Sequence, residues 1–306
     1  MSSSLLTNNA AMTALLSLGQ TQQNLATYEN QVSTGLKIAS AKDNASYWSI
    51  ATSMSSQVGA LGAVSSALSE SASMLSTMSN ALQSTVSIMD AIQNDLVSAS
   101  TAGNNSASGL QKIQTDISTQ QQQLISIGTS ASFNGENFLA AATGTSVNFL
   151  SSYNATSGAS FITLNTSNTA LFGTGVASGS TANLTGGGGI LDKAGASFTG
   201  ASILSMNITS ATSGDIANML KDVQSALTNI ETAASTIGAT QTNIAGQQNF
   251  ISNLSASLTS GVGALVDADM NQASTKISAL QVQQQLGVQA LSIANSNTQM
   301  ILRLFQ

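Results

Sequence analysis

Apolar residues recur every seventh place along much of this chain. From Leu61 the steps fall on Leu68, Leu75, Leu82, Met89 and Leu96. A second ladder, offset by three, runs Val64, Ser71, Met78, Thr85, Ile92 and Ala99, apolar at every other step. Together they form the a and d seam of a helix packed lengthwise on another helix. The spacing predicts a helix over 58–98, about 60 Å long at 1.5 Å per residue. The C-terminal half carries a longer ladder: Ile216, Val223, Ile230, Ile237, Ile244, Ile251, Leu258 and Leu265. Its companion, Leu220, Leu227 and Ala234, turns polar at Gln241 and Gln248. Gly238, Gly246, Gly261 and Gly263 each weaken that helix by roughly 1 kcal/mol relative to Ala, so it is expected to form only against its partners.

Leu110, Ile113, Ile117, Leu124 and Ile127 fit an amphipathic helix over 108–128, with 100–109 as the preceding turn and Gly128 as a stop signal. From about 140 to 213 the chain is rich in Gly, Ser, Thr and Asn. Short alternating patches interrupt it: Val147 with Phe149, Ile162 with Leu164, and Leu204, Met206 and Ile208. These predict short hairpins among loops. The ends show weaker sevens: Ala11, Leu18, Leu25 and Val32, then Ala279, Leu286, Ile293 and Met300. Lone helices of that kind are marginal in water. The termini are therefore expected to be disordered in the free chain and to pair on assembly. The cheapest way to cover the long stripes is an antiparallel bundle, with the C-terminal helix returning along the N-terminal ones. A bundle of this kind does not by itself specify a task.

Composition narrows the chemistry. The 306 residues include no Cys, no His and no Pro. Disulfides, thiolate nucleophiles, His triads and His or Cys metal sites are excluded. The acidic residues are scattered, so no enzyme activity and no cofactor are expected. Charged residues make up 7% of the chain and the formal net charge is -6, which disfavours nucleic-acid binding through phosphate neutralisation. No apolar run reaches the roughly 18 residues of a membrane span, and Met1 to Leu18 lacks the basic start of a secretory signal. Gly186–Gly189 lacks the Lys-Ser/Thr that would make a phosphate loop and reads as a flexible loop.

Local motifs add what periodicity cannot. Val32 to Ala45, VSTGLKIASAKDNA, resembles the signature near the start of bacterial flagellins, matching at Ser33, Gly35, Leu36, Ile38, Ser40, Ala41, Asp43, Asn44 and Ala45. SFNGENFL at 132–139 resembles that family's Phe-Asn-Gly turn, and LGVQALSIANSNTQMILRLF at 286–305 resembles its tail. TNNAAM at 7–12 and DNASYWSIAT at 43–52 look closest to alphaproteobacterial members. The motifs cover about 1–140 and 215–306 and lie in the family's order.

The resemblance implies a mainly α protein: a long antiparallel helical coiled-coil bundle with a small β-hairpin region and a short central insert. It implies an inner layer (D0) from 1–44 plus 264–306, a second layer (D1) from 45–175 plus 210–263, and a variable insert over 176–209. It implies a secreted, extracellular filament subunit that assembles with itself into a hollow tube for motility. The implied partners are hook-associated junction and cap proteins, an export chaperone and the flagellar type III export apparatus. No nucleic acid and no membrane insertion are expected. The inner-core assembly stripe would be Ala11, Leu18, Leu25, Val32, Ala279, Leu286, Ile293 and Met300. The D1 stripe would be Leu61, Leu68, Leu75, Leu82, Met89, Leu96, Val223, Ile230, Ile237, Ile244, Ile251 and Leu258. Ser33, Gly35, Leu36, Ile38, Asp43 and Asn44 would form the hinge and signature; Gly35 reads equally as a helix-ending glycine. Lys42 and Asp43 read as a solvated charge pair, and Trp48 as a packing residue. The segment that Toll-like receptor 5 recognises in many members is degenerate here, Gln93, Asp95 and Leu96 without Arg, so weak or absent activation is expected. Alternatives are a hook–filament junction protein, or a flagellin-like surface protein that binds polysaccharide.

Overall fold

The computed structural model describes residues 8–101, 106–140, 145–154, 157–173, 188–198 and 200–304, with side chains described as far as Ser296. Residues 176–187 and 199 of the 176–209 insert, among them the loop glycines Gly186 and Gly187, and the Met300 side chain lie outside them. The elements run α1 (Asn9–Thr34), α2 (Ala45–Ser100), α3 (Ala107–Ser130), β1 (Ser146–Asn154), β2 (Gly158–Asn165), α4 (Ser213–Val266) and α5 (Met270–Leu304). The described residues form two compact units. One joins the residues up to Gly59 with those from Ser255 onward; the other is Ala60–Leu254. The mainly helical architecture expected from the sevens is present.

In the Ala60–Leu254 unit the sevens become the core. Both ladders of α2, from Leu61 and Val64 to Leu96 and Ala99, are buried at every step, including the polar Ser71 and Thr85. Those two hydroxyls cost little because each donates to the carbonyl one turn back, Ala67 at 2.7 Å and Ala81 at 2.8 Å. On α4, Ile216, Val223, Ile230, Ile237, Ile244 and Ile251 are buried. The expected companion ladder is only partly enclosed. Met219, Ala226 and Ala233 complete the seam with Leu227 of the expected set, while Leu220 and Ala234 are half-buried. With Met219 three residues after Ile216 in the seam, the set four residues after falls at the adjoining position on its edge. Gln93 Nε2 donates to Gln224 Oε1 at 2.8 Å and Gln248 Nε2 to Ser69 Oγ at 3.3 Å. The residues advance along α2 as they retreat along α4, so the two helices are antiparallel.

α3 begins at an Ser106 N-cap and runs through Gly128, which does not stop it. Gly128 is buried instead, because a β-carbon there would overlap the Phe172 ring. Phe133–Glu136 forms a two-residue turn with φ of 53° at Asn134 and 85° at Gly135, closed by reciprocal backbone bonds of 2.9 and 3.0 Å. β1 and β2 form an antiparallel hairpin, pairing Val147 with Leu164 and Phe149 with Ile162. Phe149 and Leu164 are buried. The third expected strand is absent: Leu204, Met206 and Ile208 alternate inward but are irregular backbone. Side chains of α3 take up what a ladder partner would bond. Gln121 Nε2 donates to the carbonyls of Ile203 at 2.8 Å and Met206 at 3.1 Å, and Gln114 Oε1 accepts from Ile208 N at 2.7 Å.

In the other unit α1 and α5 run antiparallel. Asn8 Nδ2 donates to the Ala294 carbonyl at 3.0 Å, and at the far end Ala268 N donates to the Gly35 carbonyl at 2.9 Å. The terminal segments, expected to order only on assembly, are thus drawn as paired helices within one chain.

Candidate assembly surface

α1 is started by Asn8, whose side chain accepts from Ala11 N at 3.0 Å. It is ended by Gly35, whose φ of 72° is left-handed and whose N–H donates to the Gln31 carbonyl at 2.8 Å. Only Gly adopts that geometry cheaply, so the helix-ending role of Gly35 is realised. Its partners share a small knot. Leu36 bridges Asp267, and Lys37 N and Ile38 N both donate to the Val266 carbonyl, at 2.7 and 3.2 Å. Ile38, Ala51 and Val266 are buried together, with Leu36, Val262 and Leu265 around them. Ser33 stays exposed.

Asp43 does more than the solvated charge pair expected of it. Its Oδ2 accepts from Ala39 N at 3.1 Å, Ser40 N at 2.9 Å and Ser40 Oγ at 3.0 Å. The Ser40 bonds, backbone first, hold its carboxyl below the ordinary value, with a smaller contribution from Lys42. Asn44 then caps α2, accepting from Ser46 N and Tyr47 N at 3.1 and 3.2 Å. The signature stretch is therefore a helix stop, an Asp-fastened loop and a helix start in ten residues' space.

Along α1, Ala11, Leu18, Leu25 and Val32 are half-buried, with Thr21 buried on the same stripe. On α5 the stripe facing inward is displaced from the expected one. Ala273 and Leu280 are buried, and Ile277, Gln284, Gly287, Leu291 and Ala294 are half-buried. Ala279 is exposed, Leu286 is 58% exposed and Ile293 63% exposed. Two sevens lie side by side on α5. The one with small members, Gly287 and Ala294, goes inward because it lets the helices approach: a β-carbon on Gly287 would sit 3.3 Å from Leu18 Cδ1. The bulkier set is left on the outside.

Outside its pairing stripe this unit carries many exposed large apolar side chains. Met12, Leu15 and Leu16 on α1, Tyr47, Trp48 and Ile50 at the start of α2, and Met270, Val282, Leu286, Val288 and Ile293 on α5 are all exposed. Trp48, expected to pack, is among them. Isolated exposed apolar residues are ordinary, but a dense set on a low-charge surface marks an interaction site. Among its described residues the Ala60–Leu254 unit exposes far fewer, Val97, Tyr153, Phe161 and Phe250. Its stripe residues Leu61, Leu68, Leu75, Leu82, Met89, Leu96, Val223, Ile230, Ile237, Ile244 and Ile251 are buried, whereas Leu258, beyond that unit, is half-buried. Of the degenerate receptor segment, Gln93 is bonded to Gln224, Asp95 accepts from Gln120 at 2.8 Å, and Leu96 is fully buried.

Comparison with known proteins identifies the family of the chain. Residues 5–143 match the bacterial flagellin N-terminal helical region, and residues 220–305 the bacterial flagellin C-terminal helical region. A flagellin of Brucella melitensis is 40% identical over an alignment covering 99% of each chain. The chain belongs to the bacterial flagellin family. Flagellin C of Rhizobium meliloti is 46% identical over 37% of this chain and 35% of its own length, and flagellin A over 35% and 27%. The match thus spans about a third or less of those Rhizobium flagellins. In this flagellin-family chain, sequence reading missed the polar side chains that pin the loops: Gln114, Gln121, Asn137, Asp192 and Asp222. Asp222 accepts from Ser197 N at 2.9 Å and Phe198 N at 2.8 Å. Buried Asp192 accepts from Gly173 N at 2.6 Å and Gly189 N at 2.7 Å. Only the Gln pair left a signal, two glutamines seven apart beside the apolar stripe of α3.

Proposed function

We propose that this chain is the structural subunit of a flagellar filament, exported from the cell and assembled with copies of itself into a tube used for motility. The observation that carries the reading is the outer apolar face of the α1–α5 pair, set in a chain that aligns end to end with a flagellin. Each large side chain on that face gains about 1.5–3 kcal/mol when fully covered. A neighbouring copy covers it by a heterologous contact, which repeats without closing and builds a helical array. Low charge suits such stacking, because like charges would otherwise recur at every subunit. The ordering of the ends costs about 1–2 kcal/mol of backbone entropy per residue, which the burial offsets only in the array.

On this reading residues 1–44 with 264–306 form the inner layer, 45–175 with 210–263 the second, and 176–209 a surface insert. Ala11, Leu18, Leu25 and Val32 hold the pair together inside one subunit, while Ala279, Leu286 and Ile293 face the next subunit. Junction and cap proteins, an export chaperone and the type III export apparatus are its further partners. Toll-like receptor 5 activation is weak, because the segment at Gln93 to Leu96 has no Arg and its side chains are engaged internally.

Purified chain seeded with filament fragments tests this directly. Elongation visible by electron microscopy is expected, and its loss in Leu286→Gln/Ile293→Gln with an unchanged monomer melt. A chain that stays monomeric under seeding would refute the proposal.

A further inference from the structure

We propose that Asn134 is a site of spontaneous backbone modification, and that the resulting isoaspartyl linkage loosens the end of α3. Asn134–Gly135 is the one Asn-Gly pair in the sequence. Both residues are exposed and occupy the centre of a turn held by two backbone bonds, Phe133 N to the Glu136 carbonyl and Glu136 N to the Phe133 carbonyl. Their φ values, 53° and 85°, are those of a type I′ turn. Glycine is the residue after Asn that least obstructs ring closure, since it has no side chain to crowd the attacking nitrogen.

The chemistry needs only water. The Gly135 amide nitrogen attacks the Asn134 side-chain carbonyl carbon and gives its proton to solvent. The C–N bond to the side-chain nitrogen breaks, and that nitrogen takes a proton from solvent and leaves as ammonia, closing a succinimide. Water then adds to one of the two ring carbonyls and the corresponding ring C–N bond opens. One opening leaves aspartate in an ordinary backbone. The other leaves isoaspartate, with the main chain lengthened by the former side-chain carbon. No oxidant or reductant takes part.

The turn discriminates between the two products. Aspartate tolerates the left-handed conformation almost as asparagine does, so the first product keeps the turn. The lengthened chain of the second cannot keep both Phe133–Glu136 bonds in register. The disturbance reaches Asn137 next. Its Nδ2 donates to the carbonyl of Gly128 at 2.6 Å and of Thr129 at 3.4 Å, closing the end of α3. Its Oδ1 accepts from Leu139 N at 3.0 Å and Ala140 N at 3.2 Å. The Leu139 carbonyl in turn accepts from Leu171 N at 2.8 Å and Phe172 N at 3.0 Å, and Phe172 lies on Gly128. One exposed turn is thus tied to the packing of a buried aromatic ring.

The full-length folded chain, aged at mildly alkaline pH and body temperature, is mapped by peptide mass spectrometry with enzymatic methyl labelling of isoaspartate. A synthetic peptide spanning 132–139 runs beside it as a clock. Expected is a mass gain equal to water minus ammonia, with isoaspartate, at 134 ahead of every other Asn. Asn134→Gly, which keeps the positive φ, should show neither. The aged wild type should melt below aged Asn134→Gly, and Asn134→Asp should melt close to fresh wild type. The proposal fails if position 134 of the folded chain is unmodified once the peptide has largely converted, or if conversion is spread evenly over other Asn residues. An isoaspartyl fraction that melts with the Asn134→Gly control overturns the link to α3.

Discussion

The two units spend their apolar residues in opposite ways. In Ala60–Leu254 nearly every seventh-place residue is enclosed, and the exposed large apolar residues are few. Among the described residues of the unit made from the two chain ends, the buried apolar ones are Ile38, Ala51, Val266, Ala273 and Leu280, while eleven large apolar side chains remain in solvent. The first unit's sequence is satisfied by its own chain. The second unit's sequence is only half satisfied, and on the proposed function a neighbouring copy covers the unsatisfied half. Equal sevens in a sequence therefore do not imply equal burial in a subunit.

The largest expected effect comes from cutting the same amount of side chain in each unit. Leu82 is fully buried in the α2 seam, so Leu82→Ala should cost about 2–5 kcal/mol by urea titration. Ile293→Ala should leave monomer stability within about 0.5 kcal/mol and instead slow seeded elongation. If both variants lose stability equally, the contrast between the units is wrong. Next in size is Gly128→Ala. The Phe172 ring occupies the space a β-carbon needs, so the overpacking should cost about 1–3 kcal/mol. A neutral result in a thermal melt would mean that Phe172 repacks freely. Gln121→Ala should follow at roughly 1–3 kcal/mol, because it strands the Ile203 carbonyl and leaves Met206 only the 3.4 Å bond from Gln114 Nε2. Hydrogen exchange should then quicken at Ile208 and its neighbours before the α2–α4 seam responds.

What could be read from the sequence divides along the same line. Long stripes such as Leu61 to Leu96 fix helix, seam and partner together, because many residues repeat one message. The hairpin at Val147–Phe149 and Ile162–Leu164 was legible for the same reason on a period of two. Reading failed where neighbouring solutions compete by one residue. On α5 the sets containing Ile293 and Ala294 are equally periodic, and close approach at Gly287 decides between them. On α4 Met219, Ala226 and Ala233 enter the seam beside Leu227, leaving the expected Leu220 and Ala234 half-buried. Loops failed for another reason: Leu204 to Ile208 alternates like a strand, but its bonds go to Gln114 and Gln121, whose reach across the fold leaves little local trace. The apolar neighbours of Trp48 point to packing, yet Tyr47 and Ile50 are exposed with it while only Ala51 turns inward.

The smallest effect separates the units by pH. Each has one carboxyl held below its ordinary value of 3.8 by local hydrogen bonds: Asp43 by Ser40, and Asp215 by the Thr212 hydroxyl and then its backbone. Asp215 accepts from Thr212 N at 2.9 Å and Thr212 Oγ1 at 2.7 Å at the start of α4. A depressed folded-state value means the unfolded chain binds the proton more readily. The stabilisation is therefore present above the unfolded value and is lost as pH falls through the folded one. Both groups are exposed and screened, so each effect is small. Asp215→Asn should lower the stability of the seam near neutral pH, and the difference from wild type should vanish once the wild-type carboxyl is protonated. Asp43→Asn should show the same convergence, but in the exchange of the Ala39 and Ser40 amides rather than in the global melt, since that loop lies outside the Ala60–Leu254 core. Should Asp43→Asn shift the global melt as much as Asp215→Asn at neutral pH, the joint at Ile38 and Val266 is as much a part of the stability of this protein as the seam, and the contrast between the units narrows to their surfaces.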